Sequence, residues 1–254
     1  MAVEAAKAGA AAIAASGPLS VRHKGAFDLV TQADLASERA IREVLAAHTP
    51  DVPILGEEGG GGADAATRWV VDPIDGTTNF VHGVPHYGIS IGLEVDGESV
   101  VGVVHNPSRG EMWRAARGEG AWLGDERLSV SDVRDLGQAL CATGFPVDRE
   151  RLGPSMAIAE AVLRASQAIR RFGAASLDLC YVARGTFDAF FEVHLSRWDV
   201  AAGIVIIEEA GGRVGPLPGH TLGDAAPILA TNGWLHEALF SLIEASVRDH
   251  DAAP

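Results

Sequence analysis

Only two cysteines occur among the 254 residues, Cys141 and Cys180. That is too few for a disulfide framework or for a zinc site built on thiolates, and both are expected to be small core residues. Basic residues are also scarce: 20 Lys and Arg stand against 34 Asp and Glu, a formal charge of −14. A field of that sign repels phosphate backbones and argues against a nucleic-acid partner. No apolar run is long enough to read as a membrane span. The Ala-rich start, Met1 to Ser16, carries Glu4 and Lys7 and has no basic segment ahead of an apolar one. It reads as a helix and not as a signal peptide, so the expectation is a cytoplasmic protein without a membrane partner.

What is present is an ordinary globular composition, 47% hydrophobic and 21% charged, with length enough for a substantial core. No repeat or low-complexity linker divides the chain, so 1–254 reads as one domain with a soft division near residue 135. Apolar periodicity predicts helices at 2–16 and 34–47, the second with Leu35, Ala40, Ile41, Val44 and Leu45 as its apolar positions. Ile54–Gly56 and Trp69–Asp72 read as strands, and Gly59–Gly62 as a flexible surface loop. Strands are predicted at Gly88–Val95 and Ser99–His105 around the Asp96-Gly97 hairpin signal, then at Glu111–Arg117 and Gly120–Leu123. That run suggests an antiparallel sheet. The second half alternates: strands at 139–143, 168–172, 187–192 and 227–231, helices at 150–167, 176–184, 199–210 and 234–247. Such alternation argues for layered α/β packing.

The chemistry concentrates in Asp72-Pro-Ile-Asp75-Gly-Thr77-Thr78. Two carboxylates leave the end of a strand, and Pro73, lacking an N–H, forces a turn that can bring them together. With the Ile74 carbonyl between them they form a hard, all-oxygen ligand set suited to magnesium. Gly76 allows close backbone approach, and Thr77 and Thr78 can open a helix whose free N–H groups face an anion. Alone, Asp-x-x-Asp reads as a capped turn. Glu57, at the end of a strand, and Asp199, at the start of a helix, supply further acids, although a loop acid and a helix cap are the plain alternatives for these two. An acidic protein that handles phosphate needs a local inversion of charge, which bound cations supply. His82 and His86 have zinc-like spacing, but Gly83 and Pro85 between them favour packing or hydrogen bonding. Trp69, Trp198 and Phe80 read as core aromatics.

The sequence resembles the inositol monophosphatase family, within the wider group of lithium-sensitive, magnesium-dependent phosphatases. The matching text is Asp28-Leu-Val-Thr-Gln-Ala-Asp34, Gly56-Glu57-Glu58, Trp69 to His86 around the aspartate motif, Glu192, and Trp198-Asp-Val-Ala-Ala-Gly203. The resemblance implies a layered α/β/α/β/α sandwich of the inositol monophosphatase and fructose-1,6-bisphosphatase type. It further implies two to three Mg2+ ions, a small phosphate ester as substrate and a homodimer. Carried over by position, Glu57, Asp72 and the Ile74 carbonyl hold a first metal; Asp72, Asp75 and Asp199 hold a second; Glu57 reaches a third through water. Gly76 and Thr77 contact phosphate through backbone N–H groups. Thr77, hydrogen-bonded to Asp34, helps Glu57 activate a water. Glu192, the Ala175 backbone and Asp199 fall where the family contacts the substrate ring, and Lys24 matches a loop lysine near the metals. The first helix is shorter than is usual for the family, which bears on packing or a dimer edge and removes no ligand.

The expected reaction is hydrolysis of myo-inositol 1-phosphate. Fructose 1,6-bisphosphate, histidinol phosphate and a 3′-phosphoadenosine ester are alternatives on the same scaffold, and a regulatory binding protein is the non-enzymatic one. A phosphatase with an aspartyl nucleophile also carries Asp-Gly-Thr, but its aspartates are separated by one residue. Here two residues intervene, which disfavours a phospho-aspartate mechanism.

Overall fold

Helix α1 (Ala2–Ala15) opens the chain in the computed structural model, which describes residues 1–17, 20–23, 29–146, 148–223 and 225–251. Two short antiparallel strands follow, β1 (Val21–His23) and β2 (Leu29–Thr31), then helix α2 (Gln32–His48). Next come β3 (Ile54–Gly56), β4 (Thr67–Asp75) and the five-residue helix α3 (Thr77–Val81). A meander of β5 (Gly88–Val95), β6 (Glu98–Asn106), β7 (Glu111–Ala116), β8 (Gly120–Leu123) and β9 (Glu126–Arg127) completes a seven-stranded sheet, in sequence order from β3 to β9. It is antiparallel except for the β3–β4 pair.

The second half runs β10 (Leu140–Thr143), α4 (Leu152–Ala165), β11 (Ala168–Arg170), α5 (Ala175–Ala183) and β12 (Ala189–Glu192). It ends with α6 (Arg197–Glu209), β13 (Arg213–Pro216), β14 (Ile228–Thr231) and α7 (His236–Asp251). Its five strands are ordered β11-β10-β12-β14-β13, with β10 parallel to both neighbours and β14 antiparallel to both of its own.

Side-chain alternation sorts these elements into layers. Trp69, Val71, Ile89, Ile91 and Val103 on one face of the large sheet pack against Ala5, Ala6, Ile13, Ile41 and Leu45 of α1 and α2. On the opposite face, Val104 joins Leu177, Leu179, Val200 and Val205 of α5 and α6, and these meet Phe190, Ile228 and Ala230 of the small sheet. Cys141, Ala189, Phe191 and Leu229 on the far side of the small sheet pack under Ile158, Val162, Leu239 and Ile243 of α4 and α7. The order is therefore α1/α2, large sheet, α5/α6, small sheet, α4/α7, the α/β/α/β/α sandwich that the resemblance implies. Cys141 and Cys180 are free and fully buried, as expected. Among the described residues no helix is long and apolar enough to cross a membrane.

The central helix α6 lies unusually close to the large sheet. A Cβ on Gly92 would stand 2.9 Å from the Ala201 Cβ, and one on Gly102 only 2.3 Å from the Ala202 carbonyl oxygen. A backbone carbonyl cannot rotate aside as a side chain can. Gly102→Ala is therefore expected to destabilise the protein by about 1–3 kcal/mol, read as a lower urea midpoint at unchanged slope.

Several elements differ from the sequence expectation. The buried stripe of α2 is Ala33, Asp34, Ser37, Glu38, Ile41 and Leu45, while Leu35 is 46% exposed. The helix is rotated because its N-terminal half buries polar side chains that have partners elsewhere, which a count of apolar positions misses. The glycine run is pinned instead of free: the Gly59 N–H donates to Glu38 Oε1 at 2.9 Å, Arg42 Nη2 donates to the Gly60 carbonyl at 2.7 Å, and Gly60 bridges back to Gly56. Strand β4 does not stop at Asp72 but continues to Asp75. Strand β13, which carries Gly215 and Pro216, is absent from the predicted elements, and it is an edge strand, where proline is tolerated.

Candidate active site

The aspartate motif sits on a β-bulge. Asp72 pairs with Ser90 and Asp75 with Gly88, so three steps along β4 span two along β5. Pro73, which has no N–H for the ladder, lies inside that bulge. The extra residue changes the parity of the strand: two aspartates that would alternate sides now share a face. Ser90 Oγ donates to the Trp198 carbonyl at 3.1 Å, and a Cβ on Gly88 would lie 3.1 Å from Ser176 Oγ. The shared face therefore looks onto the N-termini of α6 and α5.

Helix α6 brings the third acid. Ser196 and Asp199 form a capping box in which Asp199 Oδ2 accepts from the Ser196 N–H at 2.7 Å. The capping role and the convergence with the other acids coexist in one side chain. Carboxylate oxygens of Asp72, Asp75 and Asp199 all lie within 4.8 Å of one another. Asp72 and Asp75 are buried and Asp199 is partly buried.

Each acid is held by local contacts. Asp72 Oδ1 accepts from the Ile74 N–H at 3.0 Å. Asp75 Oδ2 accepts from both the N–H and the hydroxyl of Ser176, at 2.7 and 2.5 Å. Helix α5 has no capping side chain of its own, its N-cap being Ala174. Asp75 supplies that cap from a distant strand, and the Ala175 N–H is turned on it as well. Ser176 was not identified from sequence; the signal available was a helix start, Gly173-Ala-Ala, with no side chain able to cap it.

Asp34 lies in another capping box, at the start of α2. Its Oδ2 accepts from the N–H and hydroxyl of Thr31 at 2.8 and 2.6 Å, and its Oδ1 accepts from Thr77 Oγ1 at 3.3 Å. Thr77 Oγ1 also lies 3.0 Å from the Ile74 carbonyl. Gly76, just ahead, has φ +88°, and a Cβ there would be 3.0 Å from the Gly173 carbonyl and 3.1 Å from the Ala174 Cβ. Only glycine meets both conditions.

Glu57 follows β3 and is partly buried; its N–H donates to the Val71 carbonyl at 3.1 Å. Its charge acts on both Asp72 and Asp199. The loop that carries it is fixed by Glu38, whose Oε2 accepts from the Glu58 N–H at 2.8 Å and whose Oε1 pairs with Arg42 Nε at 2.7 Å. Glu38 is a second residue missed in the sequence; its signal was an i,i+4 Glu–Arg pair on a helix face that turned out to be buried.

Glu192 is buried at the end of β12. Gly144 lies against its carboxylate, so closely that a Cβ would overlap it. Ala175 is buried at the first turn of α5. Among the described residues no histidine joins a metal-like cluster. His86 stacks on Tyr181 with ring centroids 5.9 Å apart and holds Nε2 3.8 Å from Asp178 Oδ1, while His82 is exposed at the end of α3. Trp69 is buried in the core; Phe80 packs against that cluster and Trp198 against Leu55, Val70 and Ala201. Lys24 and Asp28 lie outside the described residues.

The electrostatics of the centre all point one way. Burial, then repulsion from Glu57, Asp75, Asp199 and Asp34, pushes the Asp72 carboxyl well above the usual range. Burial followed by repulsion from Asp75 lifts Asp199 to about 8. Asp75 and Asp34 are raised by burial, although the Ser176 and Thr31 hydrogen bonds pull them back. Glu192 is pushed well up by burial and then by Asp199. Converging carboxylates that destabilise one another's charge, with oxygen the only donor element, fit a hard divalent cation.

Comparison with known proteins identifies the family. The model of the inositol monophosphatase family matches residues 1–248. A Caulobacter vibrioides inositol-1-monophosphatase is 42% identical over 235 residues, 90% of this chain and 92% of that protein. The Nus factor SuhB of Pasteurella multocida is 48% identical over 194 residues, 75% of this chain and 73% of that protein. Among solved structures, the extragenic suppressor protein suhB of Bartonella henselae superposes with a TM-score of 0.89 at 39% identity, covering 96% of both chains. The chain belongs to the inositol monophosphatase family and is a phosphatase.

Proposed function

We propose that the protein hydrolyses a small phosphate monoester, myo-inositol 1-phosphate, with Mg2+ as cofactor. The observation that carries this reading is the convergence of Asp72, Asp75 and Asp199 within 4.8 Å, on a face that includes the turn to Gly76 and Thr77. Glu57, Asp72 and the Ile74 carbonyl would hold one ion, and Asp72, Asp75 and Asp199 a second, with a third reached from Glu57. Magnesium, when bound, supplies positive charge that offsets the phosphate and eases proton loss from the attacking water.

The remaining roles belong to the chain. The Gly76 and Thr77 N–H groups orient the phosphate. The Thr77 hydroxyl donates to Asp34 Oδ1, which leaves its oxygen lone pairs free to accept a proton from water. Asp34, raised by burial, is the more willing end of that relay. Glu57 accepts from the same water. Glu192 meets a ring hydroxyl, joined by Asp199 and the Ala175 backbone. Most of the rate then comes from positioning and charge stabilisation.

The test is phosphate release from four esters with Mg2+, with and without Li+: inositol 1-phosphate, fructose 1,6-bisphosphate, histidinol phosphate and adenosine 3′,5′-bisphosphate. Inositol 1-phosphate is expected to have the highest kcat/KM and to be inhibited by Li+. A clear preference for histidinol phosphate overturns the substrate assignment. Relatives named as Nus factors support a second reading, a regulatory binding role on the same scaffold. Release of no phosphate from any ester would favour it. We also propose a homodimer, which light scattering at micromolar concentration tests.

A further inference from the structure

A second buried charged cluster lies on the same face of the large sheet, away from the carboxylates. Arg68, Val70 and Asp72 alternate along β4, and Ser90, Gly92 and Glu94 along β5, with Arg68 directly opposite Glu94. Arg68 Nε donates to Glu94 Oε2 at 2.8 Å. Arg197 Nε donates to Glu94 Oε1, and Arg197 Nη2 donates to the Gly97 carbonyl at 3.0 Å. Arg68 Nη1 also donates to the Ala63 carbonyl, in the segment between Glu57 and β4. All three side chains are at most 10% exposed.

A buried triad of this kind gains little over well-packed apolar residues, because desolvation offsets the Coulomb attraction. Its position suggests another purpose. Arg197 is the first residue of α6, and Asp199 stands two residues later in the same turn. The Asp199 side chain is tied to that turn through the Ser196 N–H. The turn has further anchors: the Trp198 carbonyl accepts from Ser90, and Ser196 bridges to Ala225. Arg197 is the fork that fixes the helix start to the strand pair bearing Asp72, and Arg68 extends the tie toward the Glu57 loop.

We propose that Glu94, Arg197 and Arg68 form a positioning clamp that holds Asp199 at ligand distance from Asp72 and Asp75. The inference rests on the reading of Asp199 as a metal ligand. Rigid support of this kind tunes a metal site without touching the ion. Glu94→Gln keeps the shape and removes the charge; Arg197→Lys keeps the charge and removes the planar fork.

The experiment titrates Mg2+ alone into the metal-free full chain by calorimetry, for wild type, E94Q, R197K and D199N, with circular dichroism to confirm the fold. Both clamp variants are expected to fold and to bind Mg2+ about 10-fold more weakly. Half-maximal phosphate release should need correspondingly more Mg2+, with the ester KM at saturating Mg2+ little changed. Folded E94Q and R197K with Mg2+ affinity within about twofold of wild type would overturn the clamp and leave the metal reading standing. D199N binding Mg2+ as wild type does would remove the metal reading, and the clamp with it. If both clamp variants unfold, the cluster serves stability and the proposal fails.

Discussion

Asp72→Asn is expected to abolish phosphate release while leaving the fold in place and stabilising the metal-free protein. Asp72 is the acid shared by both proposed ions, and four other carboxylates, those of Glu57, Asp75, Asp199 and Asp34, act on its charge. The substitution removes a negative ligand from a site whose purpose is to concentrate cations beside a phosphate. A fall in kcat of at least ~1,000-fold is expected even at saturating Mg2+. Structurally the change is mild. An Asn oxygen can still accept from the Ile74 N–H, the contact Asp72 makes at 3.0 Å. Removing a buried, repelled charge relieves its neighbours, so the melting temperature in chelator is expected to rise by about 3–6 °C. Both arms are needed. Turnover within tenfold of wild type would refute the ligand assignment, and a large fall in apo stability would mean that the charge is compensated by contacts the carboxylate cluster does not suggest.

Much of this centre was legible because it is local. Asp72, Asp75, Gly76 and Thr77 lie within six residues, and a strand followed by proline leaves few ways to arrange them. The long-range partners were legible only in part. Asp34 came only from the resemblance to the family, whereas Glu57 and Asp199 could be named because each sits at an element end, where a carboxylate has a recognisable job. Ser176 and Glu38 could not. Ser176 looked like the first residue of a helix, and its partner Asp75 is 101 residues away. Glu38 falls outside the apolar positions read for α2, so the helical period gives it no role. Both act by hydrogen-bonding backbone and carboxylate groups across layers, and no periodicity within one element encodes that.

The same distinction runs through the fold. Long strands such as β5 and β6 declare themselves by length, alternation and the Asp96-Gly97 turn, where Asp96 takes φ +52° to close the hairpin. The three-residue strands β1 and β2, the two-residue β9 and the Gly- and Pro-bearing β13 are defined by their neighbours more than by their own composition. The continuation of β4 through Pro73 is the most consequential difference. A proline in a strand normally signals its end, and here it marks a bulge whose extra residue turns two aspartates onto one face. The spacing that disfavours an aspartyl-nucleophile motif is thus the spacing that a bulge converts into a paired site.

The metal-free protein is expected to lose stability as pH rises, and Mg2+ to reverse that loss. The sign follows from the direction of the shifts. Asp72, Asp75, Asp34 and Glu192 are all raised above their ordinary values, Asp178 to about 6 and Asp199 to about 8. Between the unfolded carboxyl values near 4 and these folded ones, the native state binds more protons than the unfolded chain. The stabilisation is fully present below about pH 4 and is lost as pH climbs through the folded values, the Asp199 share near 8. In chelator the melting temperature is expected to fall by about 5 °C or more between pH 6 and pH 8.5. Saturating Mg2+ binds the ionised carboxylates and opposes their repulsion, so the stabilisation it confers should be larger at pH 8.5 than at pH 6. D199N removes one of the titrating groups, and its chelator curve should be flatter than that of wild type. A metal-free melting temperature that is constant or rising over this interval, or an Mg2+ effect of equal size at both ends, would mean that the acids already have their countercharges within the protein, and that the centre was not built around a cation.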